Sequence, residues 1–254
     1  MANLLEIKDL EKSYLQVGTN FKGARNKILN GVNLSITAGS CVGLIGESGS
    51  GKSTLARLVM GLEKPEKGSI LFEGLPVRQW LKNNKGKMSV VFQDYTASVN
   101  PRYTVTETIA EPLCASGAEK DLDWHIEQLL VRVGLEPEVK NRYPHELSGG
   151  QLQRVCIARA IATKPRFIVL DEAISSLDVS VQAQILKLLH QLRVEMNITY
   201  LFVAHDLQAV AHLCDKIAFL YQGQIVEEVE SGELARVNNH YARALLASVI
   251  PFEV

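Results

Sequence analysis

Apolar and polar residues alternate along 4–14 and again along 28–37, the period of two that half-buried antiparallel strands require. Between them QVGTNFKGARNK is polar, basic and glycine-bearing, which predicts a loop with its lysines and arginine on a solvated face. The apolar run CVGLI predicts a buried strand feeding a glycine-rich turn, and STLARLVMGL then takes up the helical period. EKPEKG turns the chain into the strand SILFEG, and MSVVF predicts one more.

From about residue 94 to 163 the pattern changes to helices separated by Pro and Gly: VTETIAEPL, WHIEQLLVRVGL and the stretch after Ser148. Strand and helix then alternate through RFIVLDE, VSVQAQILKLLHQL, TYLFVAHD, LQAVAHLC and KIAFLY. In the helix after Asp178, Val181, Ile185, Leu188, Leu189 and Leu192 share one face. The predicted fold is α/β: a core with a largely parallel sheet, an antiparallel β subdomain, and a helical subdomain inserted at 94–163, within one domain spanning 1–254. Ligands of such sheets bind at the carboxyl ends of the strands.

Composition narrows the class. Of 254 residues, 46% are hydrophobic and 22% charged, ordinary for a globular protein. A net charge of −1 argues against a general nucleic-acid binder. No apolar run reaches membrane-span length, and MANLLEIKDL carries acidic residues where a signal peptide needs an apolar core, so export is not expected. Cys41, Cys114, Cys156 and Cys214 form no C-x-x-C pair and read as reduced, buried thiols.

GESGSGKST satisfies G-x-x-x-x-G-K-[ST] with a strand before it and a helix after it. Through Gly46, Glu47, Ser48, Gly49, Ser50 and Gly51 the backbone N–H groups wrap phosphates, Lys52 places a cation between the β- and γ-phosphates, and Ser53, followed by Thr54, offers its hydroxyl to Mg²⁺. FIVLDE delivers two carboxylates at the end of a buried strand, Asp171 for the Mg²⁺ shell and Glu172 to polarise the water that attacks the γ-phosphate. Gln93, after MSVVF, would reach Mg²⁺ and that water; His205, after TYLFVA, would hydrogen-bond the γ-phosphate. Tyr14 is a candidate to stack on adenine, although an aromatic at the end of an early strand is more often core. LSGGQ, Leu147 to Gln151, bares backbone N–H groups at a helix start and so forms a second phosphate grip, but one without a lysine.

With the phosphate loop, Gln93, LSGGQ, VLDE, SLD (Ser176 to Asp178) and His205 in this order, the chain resembles an ATP-binding-cassette (ABC) ATPase over nearly its whole length. The resemblance implies that two cassettes pack head to tail, each signature closing on the ATP held by the other's phosphate loop. The Ser148 hydroxyl and the N–H groups of Gly149 and Gly150 would then contact the partner's γ-phosphate, and the lysine missing from the signature is the partner's. Gln151 and Asp178 join the nucleotide-binding set on the same ground.

FQDYTASVNPRYTVTETIAEPL is similar to a segment of the peptide and nickel importer ATPases, and HYARALLASVIP resembles their tail. That group usually has Pro after the catalytic glutamate and a polar residue after the signature glutamine; Ala173 and Leu152 stand here, as in nickel and metallophore importer subunits. The resemblance implies an ATP-hydrolysing subunit on the cytoplasmic face of the cell membrane. Its partners would be a sister ATPase, two transmembrane permease subunits and an extracytoplasmic substrate-binding protein, with no nucleic acid. An oligopeptide or dipeptide importer is the alternative. A soluble cassette acting on DNA or ribosomes is a distant one: only about ninety residues separate the phosphate loop from LSGGQ, and the chain holds one cassette.

Overall fold

The structure is a computed structural model that describes residues 3–15, 25–117, 121–175 and 177–249. Ser176 of SLD and residues 16–24 of the expected basic loop lie outside the described residues. The chain forms two compact units, residues 1–83 with 201–254, and residues 84–200.

In the first unit, β1 (Asn3–Leu15) pairs antiparallel with β2 (Arg25–Thr37) on one side and β4 (Lys67–Phe72) on the other. The short β5 (Leu75–Pro76) completes this sheet, and α2 (Val77–Asn83) covers it. Leu5, Leu10, Leu29 and Ile36 are fully buried, the alternation along β1 being reset by a register shift between Ile7 and Leu10, and Trp80 of α2 stacks on Phe72 with ring centroids 5.0 Å apart. Arg25 and Lys27, expected in a loop, belong to β2: Arg25 pairs with Glu66 and Lys27 with Glu11 at 3.2 Å, and strand pairing with β1 extends that far.

The same unit holds β3 (Cys41–Ile45), buried at every position, and α1 (Lys52–Val59), which ends sooner than its apolar period. β9 (Lys216–Tyr221) runs parallel to β3, and β10 (Gln224–Glu230) closes antiparallel on β9. β8 (Thr199–Ala204) neighbours β3 and begins with two residues of the other unit. α7 (Leu207–Leu213) and α8 (His240–Val249) complete it. Asp206 caps α7 through Gln208 N–H at 2.8 Å.

The second unit pairs β6 (Met88–Val91) with β7 (Phe167–Asp171) in parallel. α5 (Gly149–Ile161) packs on β6, α3 (Val105–Ser116) and α4 (Leu122–Arg132) pack on α5, and the unit also holds α6 (Val179–Met196). Thr104 and Glu107 form a capping box at the start of α3, and Gly117 in the left-handed region ends it. Among the described residues of 94–163 there are helices and no strand. The apolar face read in α6 is the buried one from Ile185 to Leu192. Cys41, Cys156 and Cys214 are buried as expected; Cys114 is exposed, because α3 turns Val105, Thr108, Ile109 and Leu113 inward instead.

Candidate nucleotide site

The phosphate loop follows from backbone necessity. β3 delivers Gly46 against β9 so closely that a Cβ there would lie 2.2 Å from the Leu220 carbonyl oxygen. Gly51 sits at φ 112 and starts α1 without any side-chain cap, which leaves first-turn N–H groups of the helix open to an anion. Lys52 is 6% exposed, and its ammonium donates to the Gly46 carbonyl at 2.6 Å and the Glu47 carbonyl at 2.9 Å. A buried cation is thus satisfied by the loop it serves. Glu47, Ser48, Gly49 and Ser53 are exposed, whereas Ser50 and Thr54 are buried. The Ser50 hydroxyl has no hydrogen-bond partner among the described residues. The Glu47 N–H donates to the Tyr241 hydroxyl at 2.9 Å, a contact from α8 that the sequence pattern did not announce.

Tyr14 is half-buried, and its hydroxyl donates to Glu63 at 2.6 Å. Lys12 lies over its ring, 5.2 Å from the centroid, and also pairs with Glu63 at 3.0 Å, while Arg57 of α1 donates to Glu63 at 2.8 Å. Burial pushes the Glu63 carboxyl upward, but hydrogen bonds from Tyr14, Lys12 and Arg57 outweigh it and take the group down to about 2. Tyr14 is thereby linked through Glu63 to Arg57 of α1, the helix that follows the glycine-rich loop. His205, just past β8, is exposed.

In the second unit, β7 is buried up to Leu170 and presents Asp171 and Glu172 half-buried at its carboxyl end. Glu172 takes φ 48, a left-handed conformation costly for a residue with a Cβ. The described residues of the turn it begins are tied by hydrogen bonds. Ser175 N–H and Oγ donate to the Glu172 carbonyl at 3.1 and 3.0 Å. Gln182 Nε2 donates to the Ile174 and Leu177 carbonyls at 3.0 and 3.1 Å, and Gln153 Nε2 to the Ala173 carbonyl at 2.6 Å. Gln153 belongs to no motif, so the sequence alone does not single it out. Asp178 caps α6, its carboxyl held below the ordinary range by the Val181 N–H and then by the Ser180 hydroxyl. Gln93 is exposed just beyond β6.

The signature is a capped helix start. Ser148 Oγ accepts the Gln151 N–H at 3.3 Å, and Gln151 Oε1 accepts the Ser148 N–H at 3.0 Å. Gln151 thus faces its own cap, while the exposed Ser148 hydroxyl keeps its proton available to a phosphate oxygen. Packing fixes the two glycines: a Cβ on Gly149 would meet the Tyr95 hydroxyl at 2.7 Å, and one on Gly150 would meet Val181 Cγ1 at 3.0 Å.

The ABC transporter profile matches residues 29–175, more than half of the chain. The chain belongs to the ABC transporter family. This ABC ATPase is 42% identical to the metal-staphylopine import system ATP-binding protein CntF of Staphylococcus aureus (strain NCTC 8325 / PS 47), over 98% of the chain and 100% of that protein. It is 45% identical to the putative oligopeptide transport ATP-binding protein YkfD of Bacillus subtilis (strain 168), over 97% of the chain and 76% of that protein. Among solved structures it matches the dimeric post-hydrolysis state of the ATP-binding cassette MJ0796 bound to ADP and Pi, with TM-score 0.78 and 30% identity over 89% of the chain and 98% of that structure. No helix among the described residues is long and apolar enough to cross a membrane.

Among the described residues no group of three or more His, Cys, Asp or Glu side chains gathers to hold a metal. Mg²⁺ needs no such cluster beside a nucleotide, since it takes one or two protein oxygens and completes its shell with water and phosphate. Ser53 in the first unit and Asp171 and Gln93 in the second each carry an oxygen of the kind such a shell uses, directly or through water.

Proposed function

We propose that this ABC ATPase is the ATP-hydrolysing subunit of a bacterial importer for nickel or a metal chelate of the metallophore type. The observation that carries the ATPase part is the phosphate loop, with a buried Lys52 bonded to the Gly46 and Glu47 carbonyls beside an uncapped helix start. In this reading the loop N–H groups and Lys52 take the β- and γ-phosphates, and Tyr14 stacks on adenine. Ser53, Asp171 and Gln93 supply the oxygens for Mg²⁺, which when bound offsets charge on the phosphoryl oxygens. Glu172 polarises the attacking water and His205 hydrogen-bonds the γ-phosphate.

The signature of each chain then serves the ATP of a second cassette, a sister subunit in a head-to-tail pair. The helical subdomain at 94–163 passes closure to the permeases, and its segment 94–104, with Arg102 exposed, receives their cytoplasmic helix. Through those permeases the chain sits on the cytoplasmic face of the membrane, and an extracytoplasmic binding protein delivers the cargo.

Two observations favour a metal cargo: Ala173 and Leu152, and the identity to a metal-staphylopine system along that protein's full length. The 45% identity to an oligopeptide transport protein supports the second reading, a peptide cargo. Uptake in cells with and without the chain separates them. Loss of chelated nickel or cobalt uptake with normal tripeptide uptake supports the metal reading, and the reverse pattern overturns it in favour of peptide.

A further inference from the structure

We propose that Tyr241, in the tail segment HYARALLASVIP, is a positioning residue of the phosphate loop that sets how tightly the loop holds nucleotide. The argument begins with one peptide plane. Its carbonyl, that of Gly46, accepts the Lys52 ammonium at 2.6 Å, and its N–H, that of Glu47, donates to the Tyr241 hydroxyl at 2.9 Å. The Gly46–Glu47 peptide is therefore bonded at both ends. Rotating it breaks both bonds at once and turns the carbonyl away from the lysine. A donor–acceptor chain of this kind also polarises the peptide, which strengthens the carbonyl toward Lys52.

Tyr241 is itself held by two contacts, one of them anchored in turn on β10. Its ring stacks on Tyr221, at the end of β9, with centroids 4.1 Å apart and planes at 29°. Its N–H donates to Asn239 Oδ1 at 2.9 Å in the first turn of α8. Asn239 N–H and Asn238 N–H in turn donate to Glu227 of β10 at 2.8 and 2.9 Å. The tail is thus anchored on the β9–β10 hairpin and brings one hydroxyl to an exposed loop residue. Burial raises the Tyr241 phenol above its ordinary range, so the group remains a neutral hydroxyl.

A mobile loop must be ordered when phosphate binds, and that ordering weakens affinity; a loop fixed beforehand avoids the loss. Tyr241 supplies the fixing, and it does so from the part of the chain that gives the importer group its distinctive tail. The inference rests on the reading that Lys52 binds nucleotide phosphate.

The test is ATP titration of the full chain with Mg²⁺, comparing Tyr241→Phe, Tyr221→Phe and Lys52→Ala. Tyr241→Phe removes one oxygen and keeps the stack, so the fold is kept and thermal stability falls by no more than one hydrogen bond is worth. ATP affinity is expected to fall about threefold to tenfold, the worth of one hydrogen bond. In the transporter purified through a tag on this chain, hydrolysis at saturating ATP stays within about twofold of wild type, because only ground-state binding is lost. Tyr221→Phe loses only the contact from Gln222 and leaves ATP affinity unchanged. If Lys52→Ala loses ATP while Tyr241→Phe binds it as the wild type does, the positioning role is overturned and the nucleotide site stands. Equal weakening by Tyr221→Phe overturns it as well, since the hydroxyl would then not be the cause. Wild-type binding by Lys52→Ala overturns the nucleotide site itself.

Discussion

Gln153 donates its side-chain N–H to the Ala173 carbonyl at 2.6 Å, so the helix begun by LSGGQ is bonded to the carbonyl of the residue after Glu172. Gln153 is fully buried, and its Oε1 has no hydrogen-bond partner among the described residues. An apolar side chain of the same size would pack there without an unmet carbonyl. What the glutamine supplies is the one donated bond. Together with Gln182 it holds, from two helices, a turn whose first residue is in a left-handed conformation.

Gln153→Leu should therefore change the rate rather than the fold. It removes an unsatisfied carbonyl and leaves the Ala173 carbonyl short of a donor, two effects of similar size and opposite sign on stability. Glu172 loses a constraint on its backbone, and hydrolysis is expected to fall about tenfold or more, as small displacements of a reacting group do. On the proposed reading, in which Lys52 holds the nucleotide phosphates, ATP affinity should stay as in the wild type. Single-turnover hydrolysis beside equilibrium titration checks this. A rate unchanged in a folded variant shows that the bond does not position Glu172.

Glu172→Gln keeps the volume of the side chain and removes its basicity. Hydrolysis should drop at least about a hundredfold, the scale of a general base. ATP binding persists, and nucleotide-closed pairs accumulate in size-exclusion chromatography with Mg²⁺ and ATP. Normal turnover by this variant places the base elsewhere.

Much of this was legible in the sequence because the elements obey simple periods. The strand CVGLI, the loop to Lys52 and the apolar face of the helix after Asp178 each follow from spacing alone. What was not legible is tertiary. Nothing in the spacing of Glu63 and Tyr14, or of Glu47 and Tyr241, indicates that they meet, because those contacts depend on how turns and strand bulges bring distant residues together. Arg25 and Lys27 read as loop because their composition is polar, yet pairing with β1 makes them strand, a case of tertiary context overriding local preference. Gln151 and Asp178 read as ligand contacts in the sequence, and in the structure the same polar atoms cap helices, a local use that spacing does not reveal.

The depressed Glu63 carboxyl yields a pH prediction. Its folded-state value is about 2 against an ordinary 4.5, so the contribution to stability is fully present above pH 4.5 and fades as pH falls toward 2. Glu63→Gln should accordingly cost about 2 kcal/mol near neutral pH, the order of a charge-assisted hydrogen bond. The gap between variant and wild type should narrow steadily at lower pH. Urea midpoints at pH 7, 5 and 3 check it, and a gap that does not change with pH shows that the loss is one of packing and not of charge.

The signature motif gives the sharpest test of the head-to-tail reading. Ser148→Arg leaves Lys52, Ser53 and Tyr14 untouched, so a single chain should bind ATP as before. The substitution removes a helix cap, which costs about 1 kcal/mol of stability and is read separately by thermal melting. In the assembled pair a long cationic side chain replaces a small hydroxyl where two surfaces must close on a γ-phosphate, and the site built on the partner's phosphate loop should fail. Adding a phosphate-loop lysine substitution in the partner should then cost little more than either change alone, since both disable one site, whereas adding Lys52→Ala should disable both and abolish hydrolysis. Steady-state hydrolysis by the pair, with ATP binding measured on single chains, reads the whole cycle. If Ser148→Arg abolishes ATP binding to the single chain, the signature serves its own nucleotide and the trans arrangement is wrong.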